Sequence, residues 1–257
     1  MAQSYRQIAP ELARQIRLLM TDVDGTITQG GDSLSPAVLE AIRRLEESGI
    51  MVGFVSGRAL PRLESLALDL RISGPIIAEN GGIAKLKANG DLVNLGYSRA
   101  PALKDLEKLK RLFPNAIAER EDNKYRLVDV VFRSHAIERE ELARHLEEAE
   151  LLDSGYILHL LQKGVSKGRT LAKLLRKIGN GKLSQEEVMV FGDYSTDLSL
   201  FQLFPHSVFI PNPRLPPEQR QELQRAARYA SDLPFGEGFA EVALHILDMR
   251  LTSNAGN

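Results

Sequence analysis

Residues 16–26 read Ile16-Arg17-Leu18-Leu19-Met20-Thr21-Asp22-Val23-Asp24-Gly25-Thr26. An apolar run of strand length that stops abruptly at two aspartates and a glycine is a buried strand delivering acids at its carboxyl end. Upstream, a short helix is expected around Ala9 to Gln15. Downstream, Ser35-Pro36 opens a helical pattern (Val38, Leu39, Ile42, Leu45) that Gly49 closes, the usual order of cap, early proline and terminal glycine. A second strand, Ile50 to Val55, breaks at Ser56-Gly57-Arg58 into a helix from Leu60 to Leu70. A third apolar run, Pro75 to Ala78, ends at Glu79-Asn80-Gly81-Gly82. Strands alternating with helices of ordinary length indicate an α/β fold built on a parallel, doubly wound sheet.

The rhythm changes after Gly82. Ile83 to Lys87 and Leu92 to Leu95, separated by Ala88-Asn89-Gly90-Asp91, read as a hairpin with an Asn-Gly turn, foreign to a parallel sheet. A helix (Ala102 to Phe113), a strand (Arg126 to Arg133), a charged amphipathic helix (Glu138 to Leu151) and a strand (Tyr156 to Gln162) complete an inserted α+β segment. At Gly164-Val165-Ser166-Lys167-Gly168 the first rhythm resumes with a helix from Arg169 to Ile178 and a strand from Val188 to Phe191 that runs into Gly192-Asp193. Val208 to Ile210, a polar helix (Glu218 to Tyr229) and a helix near Phe239 to Leu247 finish the chain. The expected organisation is a core of residues 1–83 and 164–257 with an insert of residues 84–163.

Composition narrows the function. Of 257 residues, 43% are hydrophobic and 26% charged, the proportions of an ordinary folded domain. The 33 Lys and Arg nearly cancel the 34 Asp and Glu, which argues against a nucleic-acid partner and for a small molecule. With no cysteine, disulfides, zinc-thiolate sites and thiol catalysis are excluded. His135, His145, His159, His206 and His245 lack the spacing of a zinc site and are expected at the surface or in the insert. No apolar run approaches the roughly 20 residues of a membrane span, and the start lacks the features of a signal peptide, so no membrane partner and a cytoplasmic location are expected.

In an open α/β sheet, ligands bind beyond the carboxyl ends of the strands. Four strand ends here carry reactive residues: Asp22 and Asp24, then Ser56, then Glu79 and Asn80, then Asp193 with Asp197; Lys167 joins them from a helix start. Four carboxylates in one crevice need a compensating cation, because each raises the pKa of its neighbours. Oxygen donors without histidine or cysteine select a hard ion such as Mg2+. Asp22 and Asp193 are the expected direct ligands, and Asp197 reaches the ion directly or through a water. Asp22 is then the nucleophile that attacks phosphorus. Asp24 serves as general acid and later as base, while Ser56, the Gly57 amide and Lys167 hold the phosphoryl oxygens.

The strings Asp22-Val23-Asp24-Gly25-Thr26, Ser56-Gly57-Arg58, Val165-Ser166-Lys167-Gly168 and Gly192-Asp193 through Asp197 resemble, in order, the four motifs of the haloacid-dehalogenase-like phosphatase superfamily. The resemblance spans nearly the whole chain. It implies a Rossmann-like core, hydrolysis of a phosphomonoester through an aspartyl-phosphate, and Mg2+ held by the side chains of Asp22 and Asp193 and the main-chain carbonyl of Asp24. The insert resembles the large α/β (C2-type) cap of the subgroup that includes sugar-phosphate phosphatases, sucrose-phosphatase, archaeal-type phosphoglycolate phosphatase and phosphomannomutase. Gly74-Pro75-Ile76 through Glu79-Asn80-Gly81-Gly82 is most similar to the phosphoglycolate-phosphatase branch. One departure is Thr196-Asp197, where the subgroup usually carries Asn-Asp. An N-terminal helix before the first strand resembles capless octulosonate-phosphate phosphatases, a branch the insert argues against.

Each residue also has a plainer reading. Ser56 and Asp193 could simply cap the helices that follow them, Glu79-Asn80 could be a turn, and Lys167 could be solvated. Arg58 is left outside the catalytic set. Asp129 with Arg133, and His159 with Lys163, share strand faces and are candidates for specificity, a packed or solvated face being the plainer account. The partner is a small phosphorylated metabolite, phosphoglycolate or a sugar phosphate, and the assembly a monomer or homodimer. The rivals are a phosphomutase with the same acids and a non-catalytic phosphometabolite sensor.

Overall fold

The computed structural model describes residues 1–251 apart from Gly30, Asp32, Tyr156 and Lys182. In chain order, β1 (Gln3–Ser4), α1 (Pro10–Gln15), β2 (Leu18–Thr21), α2 (Pro36–Glu47), β3 (Met51–Val55), α3 (Leu60–Asp69), β4 (Ile76–Ala78) and β5 (Ile83–Lys85) precede the insert. The insert carries α4 (Ala100–Leu112), β6 (Ile117–Glu119), β7 (Val130–Ser134), α5 (Arg139–Arg144), β8 (Ala149–Asp153) and β9 (Leu158–Gln162). After it come α6 (Lys167–Leu175), β10 (Val188–Gly192), α7 (Leu198–Leu203), β11 (His206–Phe209), α8 (Pro217–Ala226), β12 (Tyr229–Ala230) and α9 (Phe235–Leu251).

The first sheet has the order β1-β12-β11-β10-β2-β3-β4-β5. All its pairings are parallel except that of β5 with β4. Both faces are covered, which is why its strands read as unbroken apolar runs. Leu19, Val52, Phe54, Met189 and Phe191 point into one cluster with residues of α2, α3 and α9. Their strand neighbours Leu18, Met20, Val55, Val188 and Val190 point to the other face, against α6 and α7. The helix starts follow their sequence signals: Ser35 Oγ accepts from the Val38 N–H, with Pro36 opening α2, and Ser166 Oγ accepts from the Arg169 N–H at the head of α6.

The insert forms a second, antiparallel sheet, β6-β7-β9-β8. α4 and α5 back it through Leu106, Leu109, Leu142, Phe132 and Leu160. Its two connections to the core run side by side. The Ser98 N–H donates to Gln162 Oε1 at 2.9 Å, and Thr170 Oγ1 donates to the Gly81 carbonyl at 2.7 Å. Gly81 has φ +107°, and a Cβ there would fall 2.5 Å from the Ser166 carbonyl; only glycine fits such a crossing.

Two expectations are corrected. The hairpin of 83–95 reduces to one bridge, Lys85 with Leu92. The turn forms, with the Gly90 N–H donating to the Lys87 carbonyl, but Leu86, Val93 and Leu95 turn onto the cluster under α6 instead of extending the ladder. The helix expected from Glu138 to Leu151 stops at Arg144, and 149–153 is strand β8. There the buried Asp105 carboxylate accepts the N–H groups of Glu147, Glu148 and Ala149 at 3.0, 2.9 and 2.7 Å, drawing the chain out of helix. The short strands β1, β6 and β12 carry too few residues to show a period. Tyr156, expected to begin the last strand of the insert, lies outside the described residues.

Candidate active site

β2 lies between β10 and β3, so Asp22 and Asp24 leave the sheet beside Asp193 on one side and Ser56 on the other. This is the point where the strand order reverses, the usual ligand crevice of such sheets. Lys167, the first residue of α6, donates to Asp22 Oδ1 and Asp197 Oδ1 at 2.7 Å each. The other Asp197 oxygen accepts the N–H groups of Asp193 and Tyr194, both at 3.1 Å. Asp193 is held from two sides: Thr26 Oγ1 donates to Oδ1 and Asn212 Nδ2 to Oδ2, each at 2.7 Å. Gly25, at φ +93°, makes room for this carboxylate, since a Cβ there would stand 2.3 Å from Asp193 Oδ2.

One oxygen from each of Asp22, Asp193 and Asp197 lies within 4.8 Å of the others, and all three side chains are buried. Burial, reinforced by Asp197 and Asp193 and opposed by Lys167, pushes the Asp22 carboxyl well above the ordinary carboxylate range. Burial and then Asp197 push Asp193 up to about 7, against the hydrogen bonds from Thr26 and Asn212. Burial acts against the Lys167 ammonium, but Asp197 and Asp22 together outweigh it and hold its pKa above its ordinary value. Three buried carboxylates thus share one ammonium, an arrangement that calls for further positive charge. An all-oxygen donor set fits a hard divalent cation such as Mg2+.

Ser56, Gly57 and Asn80 form an adjoining group. The Asn80 N–H donates to the Ser56 carbonyl at 3.0 Å, and the Arg58 N–H donates to Ser56 Oγ at 3.2 Å. Asp24 is joined to this group through Arg58, whose Nε and Nη2 donate to its two oxygens at 2.8 and 2.6 Å. The expected residues therefore fall into two bonded sets on adjacent strands: Asp22, Lys167, Asp193 and Asp197, and Asp24, Ser56, Gly57 and Asn80.

The insert reaches both sets. Glu79, fully buried at φ +52°, accepts the N–H groups of Leu127, Val128 and Asp129 at 2.7 to 3.0 Å. His159 Nδ1 lies 2.8 Å from Asp129 Oδ2 and 3.2 Å from Asn80 Nδ2. Arg126 donates to both Asp129 oxygens at 2.8 Å and to the Gly57 carbonyl at 3.0 Å. On the other flank the Tyr194 hydroxyl would stand 3.1 Å from a Cβ at Gly155. Ser154, His159 and Asp129 follow one another in the order of a hydrolase triad. The Ser154 hydroxyl, however, bonds the Ile157 carbonyl at 3.0 Å and Asp129 is already paired to Arg126, so this imidazole acts as a tether.

Of the histidines expected at the surface or in the insert, His159 lies in the insert, buried and linking it to the core, whereas His206 is buried in the core strand β11. Asp129 and His159 meet as packed partners, whereas Arg133 and Lys163, their strand-face companions, are exposed. Arg58, left outside the catalytic set, pairs with an acid, Asp24; Thr26, Asn212 and Arg126 were missed as site residues. Asn212 follows β11 in Pro211-Asn212-Pro213, so the strand-end rule applied once more would have found it. Nothing local marks Arg126.

A family model described as haloacid dehalogenase-like hydrolase matches residues 19–150 and 104–215 of the chain. The chain belongs to that family. Among curated members, "Phosphoglycolate phosphatase" of Methanoculleus marisnigri is 31% identical over 231 residues, 88% of this chain and 94% of the relative. "Phosphoglycolate phosphatase 1" of Saccharolobus solfataricus is 32% identical, covering 88% and 93%. A crystal structure from Thermoplasma acidophilum superposes with a TM-score of 0.78 at 26% identity, over 90% of this chain and 98% of that one. A haloacid dehalogenase-like hydrolase from Bacteroides thetaiotaomicron, 23% identical with a TM-score of 0.73 over 90% of this chain and 99% of its own, shares the fold. The α/β core with an inserted cap is thus the architecture of this hydrolase family, and the two curated members named above are phosphatases. Among the described residues, no helix is long and apolar enough to cross a membrane.

Proposed function

We propose that this phosphatase removes the phosphoryl group of a small phosphorylated metabolite, with phosphoglycolate the first candidate, through an aspartyl-phosphate on Asp22. The observation that carries the reading is the Lys167 ammonium, bonded at 2.7 Å to both Asp22 and Asp197 within a buried set of three carboxylates. Phosphoglycolate is favoured because curated relatives of that name match the chain over nearly their whole length.

Asp22, Asp193 and Asp197, with the Asp24 carbonyl in the arrangement the family implies, would hold Mg2+. Bound there, the ion neutralises the carboxylates and polarises the phosphoryl group. An Asp22 oxygen attacks phosphorus, forming the O–P bond as the bond to the leaving oxygen breaks, and Asp24 gives that oxygen its proton. Asp24 then takes a proton from water as the water oxygen attacks phosphorus, the bond to Asp22 breaks and inorganic phosphate leaves. Lys167, the Ser56 hydroxyl and the Gly57 amide hold the phosphoryl oxygens where charge gathers, and Asn80 lines the same turn. The core of residues 1–83 and 164–257 supplies this chemistry, and the cap of 84–163 selects the leaving group.

Phosphate release from phosphoglycolate, sugar phosphates and an aryl phosphate, with Mg2+ or EDTA, tests this. Mg2+-dependent turnover is expected in the wild type, and a loss of at least about a thousandfold in Asp22→Asn, since covalent catalysis has no substitute here. Undiminished release by Asp22→Asn would end the covalent reading. Transfer that requires a bisphosphate activator would move the assignment to a mutase.

A further inference from the structure

We propose that Arg126, supplied by the cap, is a positioning residue for the phosphate-binding turn: its guanidinium fixes the peptide between Gly57 and Arg58, and that peptide orients the Ser56 hydroxyl. This rests on the reading of Ser56 as a phosphoryl donor.

Arg126 is 5% exposed, and its donors are spoken for. Nη1 serves both Asp129 oxygens and the Gly57 carbonyl, at 2.8, 2.8 and 3.0 Å. Nη2 and Nε serve Asp122 Oδ2 at 3.0 and 3.3 Å. Two carboxylates clamp the planar fork from either side, and what it reaches in the core is a single carbonyl. The peptide unit is rigid and planar, so holding its carbonyl also aims its N–H. That N–H, on Arg58, donates to Ser56 Oγ at 3.2 Å. Once the oxygen accepts from the turn, the hydroxyl proton points away from it, toward a bound phosphoryl oxygen.

The turn is gripped from a second direction by the same carboxylate. Asp129 Oδ2 bonds His159. A Cβ at Gly57 would sit 3.3 Å from the His159 ring and 3.1 Å from the Asn80 amide, so glycine lets the cap close on the peptide. The side chain of Arg58 continues to Asp24 at 2.6 and 2.8 Å. A purely structural arginine would need none of this alignment: Asp122 and Asp129 already satisfy its charge. Lysine keeps the charge but has no planar fork to serve two carboxylates and a carbonyl at once.

The test is a double-mutant cycle on the full-length, Mg2+-loaded protein with an aryl phosphate as substrate and inorganic phosphate as competing ligand. Arg126→Lys is expected to lower kcat/KM and weaken inhibition by inorganic phosphate, each about tenfold, in the Ser56-containing protein, and both less than about threefold after Ser56→Ala, since coupled sites are not additive. Should Arg126→Lys fold poorly, Asp122→Asn loosens the fork from its solvent side and is expected to give a smaller loss with the same dependence on Ser56. Equal losses with and without the Ser56 hydroxyl, or an unchanged inhibition constant beside a lowered melting temperature, would overturn the positioning role while leaving the phosphatase reading intact. If Ser56→Ala alone changes neither quantity, Ser56 is no phosphoryl donor and the proposal falls with that reading.

Discussion

Asp193 ties the chemistry of the site to the pH at which the chain is stable. Burial and the neighbouring Asp197 push its carboxyl up to about 7 from an ordinary 3.8, and burial displaces Asp22 in the same direction. Between these values the folded chain holds protons that the unfolded chain has released, so stability is fullest below about pH 4 for these groups and is lost as pH rises through about 7. A divalent ion replaces those protons. The metal-free protein should therefore melt lower at pH 7.5 than at 5.5, and the rise in melting temperature on adding Mg2+ should be larger at 7.5. Equal Mg2+ shifts at both pH values would mean that the carboxylates are already ionised. At this scale the site was legible wherever an acid or hydroxyl ends a strand, as at Asp22, Ser56 and Asp193. It was illegible where the partner comes from far along the chain, as Arg126 does for Gly57.

Asp105 shows how a single side chain decides the type of an element. The stretch 138–151 has helical charge spacing, yet three successive N–H groups at 147–149 bond one buried carboxylate oxygen. The helix cannot continue through groups already satisfied elsewhere. Asp105→Ala should cost about 2 kcal/mol in urea unfolding, the scale of leaving buried donors without an acceptor, and Asp105→Asn, which keeps one acceptor oxygen, less. No change in either would mean that the alternation of Ala149 and Leu151 onto the cap cluster is enough to hold β8. The core elements were readable because strands buried on both faces and helices with caps at both ends carry strong local signals. Strands of two or three residues, and the packing of Val93 and Leu95 in place of a hairpin, depend on neighbours that local pattern does not reveal.

For the molecule as a whole, the closeness of cap and core has a kinetic meaning. Asp22 is 4% exposed, Lys167 3% and Ser56 1%, so substrate needs an opening to reach them, and separation of cap from core would supply one. The amides of Leu127, Val128 and Asp129, bonded to Glu79 across that junction, report the separation. They should exchange hydrogen together and faster than the β10 amides, and slow when Mg2+ and inorganic phosphate are added. Exchange as slow as that of β10 without ligand would mean that this face of the junction stays shut and entry lies elsewhere, on the Tyr194 side.

Near the two ends of the insert, the Ser98 backbone N–H donates to the Gln162 side chain, so the outgoing and returning chain lie one side chain apart. A graft or a deletion between them need span only a few residues, and no core strand would be pulled from its register. Replacing residues 99–161 would leave Asp22, Asp24, Lys167 and Asp193 on the sheet while Arg126, Asp129 and His159 departed together. Recombination at this one junction could change what the enzyme selects without rebuilding how it reacts.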